Sequence, residues 1–270
     1  MGPVRMYFRL VGLSVRSQLR YRSALALQVA GQFLITAIEF GGLYALFERF
    51  GHFRGWELPE LAFLYGFVDM AFSLADALAY GFDFMGTLVR TGDFDRLLTR
   101  PLSPVLQLLG REVTIRRAGR LAQGLAVFVW AAVSLASSGT TWYRPLGLAA
   151  LAAGFLAGVV VFLSVFLMQA ALTFRTVEGL EFMNAFIYGG RQASAYPASG
   201  HRPWMRVLFL GGVPLASVMY LPVCLALGRE AFPGWPLWLG LAGPFAAAPF
   251  AGLAWLLWKA GLRRYQSGGG

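Results

Sequence analysis

Apolar residues gather into long runs along the chain, separated by short basic or polar stretches. A bilayer-crossing helix needs about 20 mostly apolar residues. Five runs meet that need, near 24–47, 60–81, 121–138, 147–172 and 237–258. A further stretch, 176–228, is long and mixed and carries Pro197, Pro203, Pro214 and Pro222. It must hold one more crossing if both termini lie on the same side. The first run follows a basic segment, 1–23, and lacks a small-residue cleavage site, so it reads as a retained span rather than a signal peptide. Within that basic segment Arg5, Arg9, Arg16 and Arg20 fall in an arc of about 60° at 100° per residue. Tyr7, Val11, Val15 and Leu19 lie opposite. A helix of this kind lies in the headgroup plane, arginines toward anionic lipid or a cytosolic partner.

Composition agrees with this pattern. Of 270 residues, 57% are hydrophobic and 13% charged, against roughly 45–50% and about 25% in soluble domains. Both a water-soluble globule and a disordered chain are excluded. The net charge of +10 comes from 22 arginines and the single Lys259, but these lie between apolar runs, not on a polar surface, so no nucleic-acid partner is expected. One cysteine, Cys224, cannot form an internal disulfide, and His52 and His201 cannot build a histidine metal cluster.

The arginines set the orientation. The N-terminal segment, the stretch from Arg90 to Arg120 and the tail from Lys259 to Arg264 hold fifteen cations, against Arg49, Arg54 and Arg144 on the other side. Both termini and the loop after the second span are therefore expected in the cytoplasm, with Trp56, Trp142 and Tyr143 at the opposite interface. The longest polar insert is about 30 residues, too short for a catalytic domain. There is no Walker A pattern around Lys259, so ATP hydrolysis by this chain is not expected. No long internal repeat is present.

Asp69, Asp76 and Asp83 recur every seven residues in the second span, drifting only about 20° per step. They form one stripe, which Arg90 continues, and Glu39 sits inside the first span. A charge at the bilayer centre costs roughly 2.5–3.5 kcal/mol on insertion scales. These carboxylates must face a cavity, a partner helix or each other. Two readings stay open: a polar wall along a translocation path or subunit seam, and structural pairing with arginines or hydroxyls of neighbouring helices.

After the second span, Gly92 breaks the helix and Asp93 suits an N-cap. Phe94, Leu97 and Leu98 share one face of a short helix that Pro101 stops. An exposed apolar knob flanked by charge is expected there, facing a protein partner or the lipid surface. The run Gly92-Asp93-Phe94-Asp95-Arg96-Leu97-Leu98-Thr99-Arg100-Pro101-Leu102-Ser103-Pro104 resembles the permease (transmembrane) subunit of type-2 ABC (ATP-binding-cassette) transporters, in their branch of uncharacterised transport-system permeases. Val177-Glu178-Gly179-Leu180-Glu181-Phe182 and Tyr188-Gly189-Gly190-Arg191 are similar to the same branch.

The resemblance implies an all-α polytopic membrane protein, residues 1–270 forming a single permease domain. An interfacial helix (1–23) precedes six spans near 24–47, 60–88, 121–138, 147–172, 176–196 and 237–258, with a cytoplasmic coupling helix at 92–104 and a re-entrant extracellular hairpin at 197–228. For that hairpin the class pairs Pro-Trp with a later Asn-Pro-Leu. Pro203-Trp204 and Pro214-Leu215 match, but Val213 stands where the asparagine belongs. Hydropathy alone makes 206–227 the fifth span instead. The coupling residues implied are Asp93, Phe94, Asp95, Leu97, Leu98, Arg100 and Pro101, docked on a separate ATPase subunit.

The expected function is then that of a permease, an exporter by resemblance, moving an amphiphilic or hydrophobic substrate. Two ATPase copies would bind the ATP and Mg, and a second permease chain, identical or related, would complete the complex. No cofactor is expected on this chain. Abundant arginine, alanine and glycine suit a GC-rich bacterium and its plasma (inner) membrane. The alternative of another class is an intramembrane lipid-modifying enzyme using Glu39, Asp69 and Asp76, though no Ser/His or metal-ligand spacing accompanies them. A stand-alone channel is a third reading.

Overall fold

The computed structural model describes residues 3–111, 114–175 and 179–265. Val177, Glu178 and the side chains of Arg5, Tyr7, Glu181 and Phe182 lie outside the described residues. Within them the protein consists of helices joined by loops, with one bridge between Phe53 and Trp56 that closes a tight loop. Helix α1 (Pro3–Leu19) breaks at Arg20–Tyr21 into α2 (Arg22–Phe50). Helix α3 (Leu58–Asp83) continues after a kink as α4 (Met85–Arg90), followed by the short α5 (Asp93–Leu98) and α6 (Pro104–Arg111). A 3₁₀ turn at Ile115–Arg117 leads into α7 (Ala118–Ser137), and α8 (Pro145–Leu172) and α9 (Gly179–Ser194) follow. After α10 (Pro203–Val207), two π-helical turns and α11 (Leu221–Leu227), the chain ends in α12 (Leu239–Ala242) and α13 (Ala247–Arg263).

Among the described residues, five helical segments are long and apolar enough to cross a membrane: Arg22–Phe50, Leu58–Arg90, Ile115–Ser137, Pro145–Leu172 and Leu239–Arg263. The all-α polytopic architecture expected from the apolar runs therefore holds. Helix α3 is the hub. It packs along α7 and α8, with α13 on the far side of α8 and α2 on the outside of α7. Close approach depends on small residues: a Cβ on Gly66 would meet Gly124 O and Phe128 N, each at 2.7 Å. Lipid offers no hydrophobic drive between helices, so such contacts carry the packing. The outermost span is α2, where only Thr36, Leu43 and Phe47 are buried.

The proline-marked stretch is bent by 80° between Pro203–Gly212 and Ala216–Leu227, at Val213–Leu215. Both of its ends lie beside the α2–α3 loop. Gly200 sits against Phe53 and Arg54, and Arg229 donates to the Gly55 carbonyl at 2.7 Å. The bend itself reaches inward, with Leu215 fully buried beneath Gly190 of α9. The stretch therefore enters and leaves the helical body by the same end. Helix α9, about 24 Å long at 1.5 Å per residue, brings the chain there from the arginine-rich end. Broken backbone of this kind is tolerated at membrane depth only under protein or water cover, and α8 supplies that cover.

Candidate functional site

Each of the stripe's two buried carboxylates meets an arginine from another helix. Asp69, 11 residues into α3 and so roughly 16 Å from its start, accepts from Arg191 Nη1 at 2.5 Å. Arg191 Nη2 reaches Glu39 of α2 at 2.7 Å. One guanidinium on α9 thus joins α2 to α3. Asp76, two turns further along α3, pairs with Arg117, whose other terminal nitrogen lies 3.9 Å from Asp83. Near the opposite end Glu60 pairs with Arg229 and also accepts from its own N-cap amide, Glu57 N, at 2.9 Å. Burial forces the pairing, since an uncompensated ion in a dry interior costs several kcal/mol. The Asp69 and Asp76 side chains are 1% exposed, whereas Glu39 is 36% exposed.

Aromatic faces complete the layer. Arg120 lies over the Phe72 ring at 5.5 Å and Arg191 at 5.7 Å, the attraction expected of a cation above a π-face. Gly124 leaves room for the Asp69 carboxylate, with Oδ2 3.4 Å from where its Cβ would stand. Buried beside these charges, the Ser73 hydroxyl and the Gln123 amide have no partner among the described residues. The layer can hold charge and can offer hydrogen bonds at mid-depth.

At the arginine-rich end Gly92, with φ 71°, occupies the cap position of α5, one residue before the expected Asp93. Glycine meets no Cβ penalty in that left-handed conformation. Asp93 instead accepts from Thr91 Oγ1 at 2.9 Å and pairs with Arg96 at 3.4 Å. The expected exposed knob needs correction. Phe94 is fully buried, its ring 5.3 Å from Phe174, 5.1 Å from Tyr265 and 6.4 Å from Trp258. Leu97 is buried as well, while Leu98, Arg96, Thr99, Arg100 and Pro101 are exposed and Asp93 and Asp95 are half-buried. Burial presses against the Tyr265 phenol, and Asp95 beside it adds to this, so its pKa is raised. Helix α5 is thus seated on the ends of α8 and α13 through Phe94. Its outer face borders a cleft of about 490 Å³ lined by Leu13, Ser14, Asp93, Arg96, Leu97, Arg100 and Gln107. Gln107 closes the turn by donating to the carbonyls of Leu97 (2.7 Å) and Leu102 (2.8 Å).

The structure therefore sorts the candidate residues into two places. Glu39, Asp69, Asp76 and Asp83 form the membrane ladder, and Asp93 to Leu98 form the seated helix, ten residues beyond Asp83, with Thr99 to Pro101 in the turn after it. The arginine partners were not singled out as site residues. Arg191 carried a usable signal, being a lone cation within an otherwise uncharged run from Met183 to His201. No group of three or more His, Cys, Asp or Glu that could hold a metal ion occurs among the described residues.

A family model described as "ABC-2 family transporter protein" matches residues 33–269. No curated protein and no solved structure matches the chain.

Proposed function

Because the chain belongs to the ABC-2 transporter family, and so is the membrane component of a transport system, we propose that it is the permease of an exporter driven by a separate ATP-binding-cassette ATPase. Two ATPase copies would work beneath two permease chains, identical or related, in a bacterial inner membrane with both termini cytoplasmic. The single observation that supports this reading is the seating of α5. Its exposed residues and those of the turn after it (Arg96, Leu98, Thr99, Arg100) are open to a partner, while Phe94 is wedged among Phe174, Tyr265 and Trp258. A push on the outer face is then delivered to the ends of two spans, α8 and α13. Packed interfaces of this kind move between discrete arrangements rather than deforming gradually, and the partner shifts their populations by binding one state better. ATP and Mg would sit on the ATPase, which supplies the hydrolysis; this chain's own work is to receive the motion.

The substrate in this reading is amphiphilic or hydrophobic. Ser73, Gln123 and the Asp69–Arg191 pair would meet its polar head at mid-depth, while its apolar part stays in lipid or against the bundle. The test is reconstitution of the full chain with the co-purified ATPase in liposomes. ATP-dependent movement of a fluorescent phospholipid or drug is expected, and none without the ATPase. Ion conductance by the chain alone, or covalent change of the lipid, would overturn the proposal.

A further inference from the structure

A second cleft of about 400 Å³ opens on the same end of the molecule, beneath the elbow between α1 and α2. Ser14, Ser17 and Gln18 face it from α1, Tyr80 from α3, and Thr114 and Arg116 from the start of the third span. Gln28 of α2 closes its side. The volume falls within the range of small-molecule sites, about 300–1,000 Å³.

The lining is built and its chemistry is one-sided. Gln18 Oε1 accepts from Ile115 N at 2.9 Å, which fixes α1 against the α7 turn. Arg116 donates through Nη2 to Tyr80 Oη at 3.2 Å and lies 5.2 Å from that ring's centroid. Thr114 is 8% exposed, and its hydroxyl has no partner among the described residues. A buried hydroxyl left unsatisfied costs free energy that a bound acceptor recovers. Ser17 Oγ and Gln18 Nε2 already donate to the Ser14 carbonyl, so the Thr114 hydroxyl and the Arg116 guanidinium carry the site, and no carboxylate lines the cleft among the described residues. Among the described residues Asp83 lies 3.9 Å from Arg117 and also feels the charge of Arg116.

We infer that this cleft binds a phosphate group, presented by the headgroup of an anionic phospholipid of the inner leaflet or as the free anion. A phosphate offers only acceptors and matches the guanidinium fork. The arginine-rich end is the one that meets the anionic cytoplasmic leaflet, and the cleft opens where the interfacial helix turns into the first span, at headgroup level. Ser14 lines both this cleft and the one beside α5. Occupancy therefore sets how α1 lies against the α5 region.

The test is native mass spectrometry of the full chain in maltoside detergent. Phosphatidylglycerol is compared with an uncharged galactosyl diacylglycerol of the same chains, with inorganic phosphate as competitor. The wild type is expected to retain phosphatidylglycerol over the glycolipid. Thr114→Val and Arg116→Gln should each weaken retention about tenfold, as loss of hydrogen bonds to a charged group does, and Arg116→Lys should retain most of it. Thermal unfolding without lipid checks that each variant is folded. Displacement by inorganic phosphate assigns the site to the free anion, and no displacement assigns it to the lipid; either supports phosphate binding. Equal retention of the glycolipid by the wild type, or full retention by folded Arg116→Gln, overturns it.

Discussion

Arg191 Nη1 lies 2.5 Å from Asp69 Oδ1, joining two helices whose pairing residues stand 122 positions apart. Both side chains are nearly inaccessible, and the second Arg191 nitrogen is held by the far more exposed Glu39. The three partners should therefore differ in cost. Removing one member of a buried pair strands the other charge, at about 3–5 kcal/mol, so Arg191→Gln is expected to lower stability by that order. Asp69→Asn should come next. Glu39→Gln should cost less, nearer the ~0–1 kcal/mol of an exposed pair. The Arg191→Gln/Asp69→Asn double variant should lose less than the sum of its singles. Thermal unfolding of the purified protein, followed by tryptophan fluorescence, ranks the four.

Phe94 and Leu98 sit four residues apart on α5, neighbours on the helix surface, yet Phe94 is buried and Leu98 exposed. Phe94→Ala opens a hole among Phe174, Trp258 and Tyr265, and such truncations cost about 3–5 kcal/mol. Leu98→Ala touches a 42% exposed side chain and should leave stability within ~0.5 kcal/mol. If α5 receives the ATPase, Leu98→Ala should reduce co-purification of that subunit while the chain melts as the wild type does. Unchanged recovery of the ATPase with Leu98→Ala and Arg100→Glu together would remove α5 from the contact.

How much of this could be read in advance depends on distance along the chain. The spans are local features: twenty apolar residues in a row need no partner to be recognised, so α2, α3, α7, α8 and α13 were all legible. The Asp69–Asp76–Asp83 stripe was legible for the same reason, because helical periodicity is local. Their arginines were not, since nothing in the spacing ties Arg191 to Asp69. The exposure of Phe94 was misjudged because its cover comes from Phe174, Trp258 and Tyr265, remote residues whose approach is a tertiary fact. Helix α6 went unrecognised because its eight residues, though amphipathic, are shorter than the roughly 11–18-residue window over which helical periodicity is read.

Gly66 and Gly41 make a matched pair for the packing argument. A methyl on Gly66 would strike the α7 backbone at Gly124 and Phe128, whereas a methyl on Gly41 meets nothing within 4 Å. Overpacking of a tight site costs about 1–3 kcal/mol. Gly66→Ala should therefore lower the melting temperature clearly, and Gly41→Ala should leave it unchanged or slightly raised. Equal effects at the two positions would mean that α3 and α7 are not in backbone contact.

His201 provides a pH test outside the spans. It is half-buried in the turn before α10, with Arg206 Nε donating to its carbonyl at 2.9 Å. Burial lowers its pKa first, and the nearby cations Arg206 and Arg54 lower it further. An unfolded histidine titrates near 6.5. Above that value both states are neutral, and His201 contributes nothing to the pH dependence. As pH falls below about 6.5 the unfolded chain takes up a proton that the folded chain refuses, so stability drops until the folded pKa is also passed. The wild type should therefore melt at a lower temperature near pH 5.5 than near pH 7.5, and His201→Gln should show a smaller difference over the same interval. A drop of the same size in the variant would remove His201 as the source of the acid sensitivity.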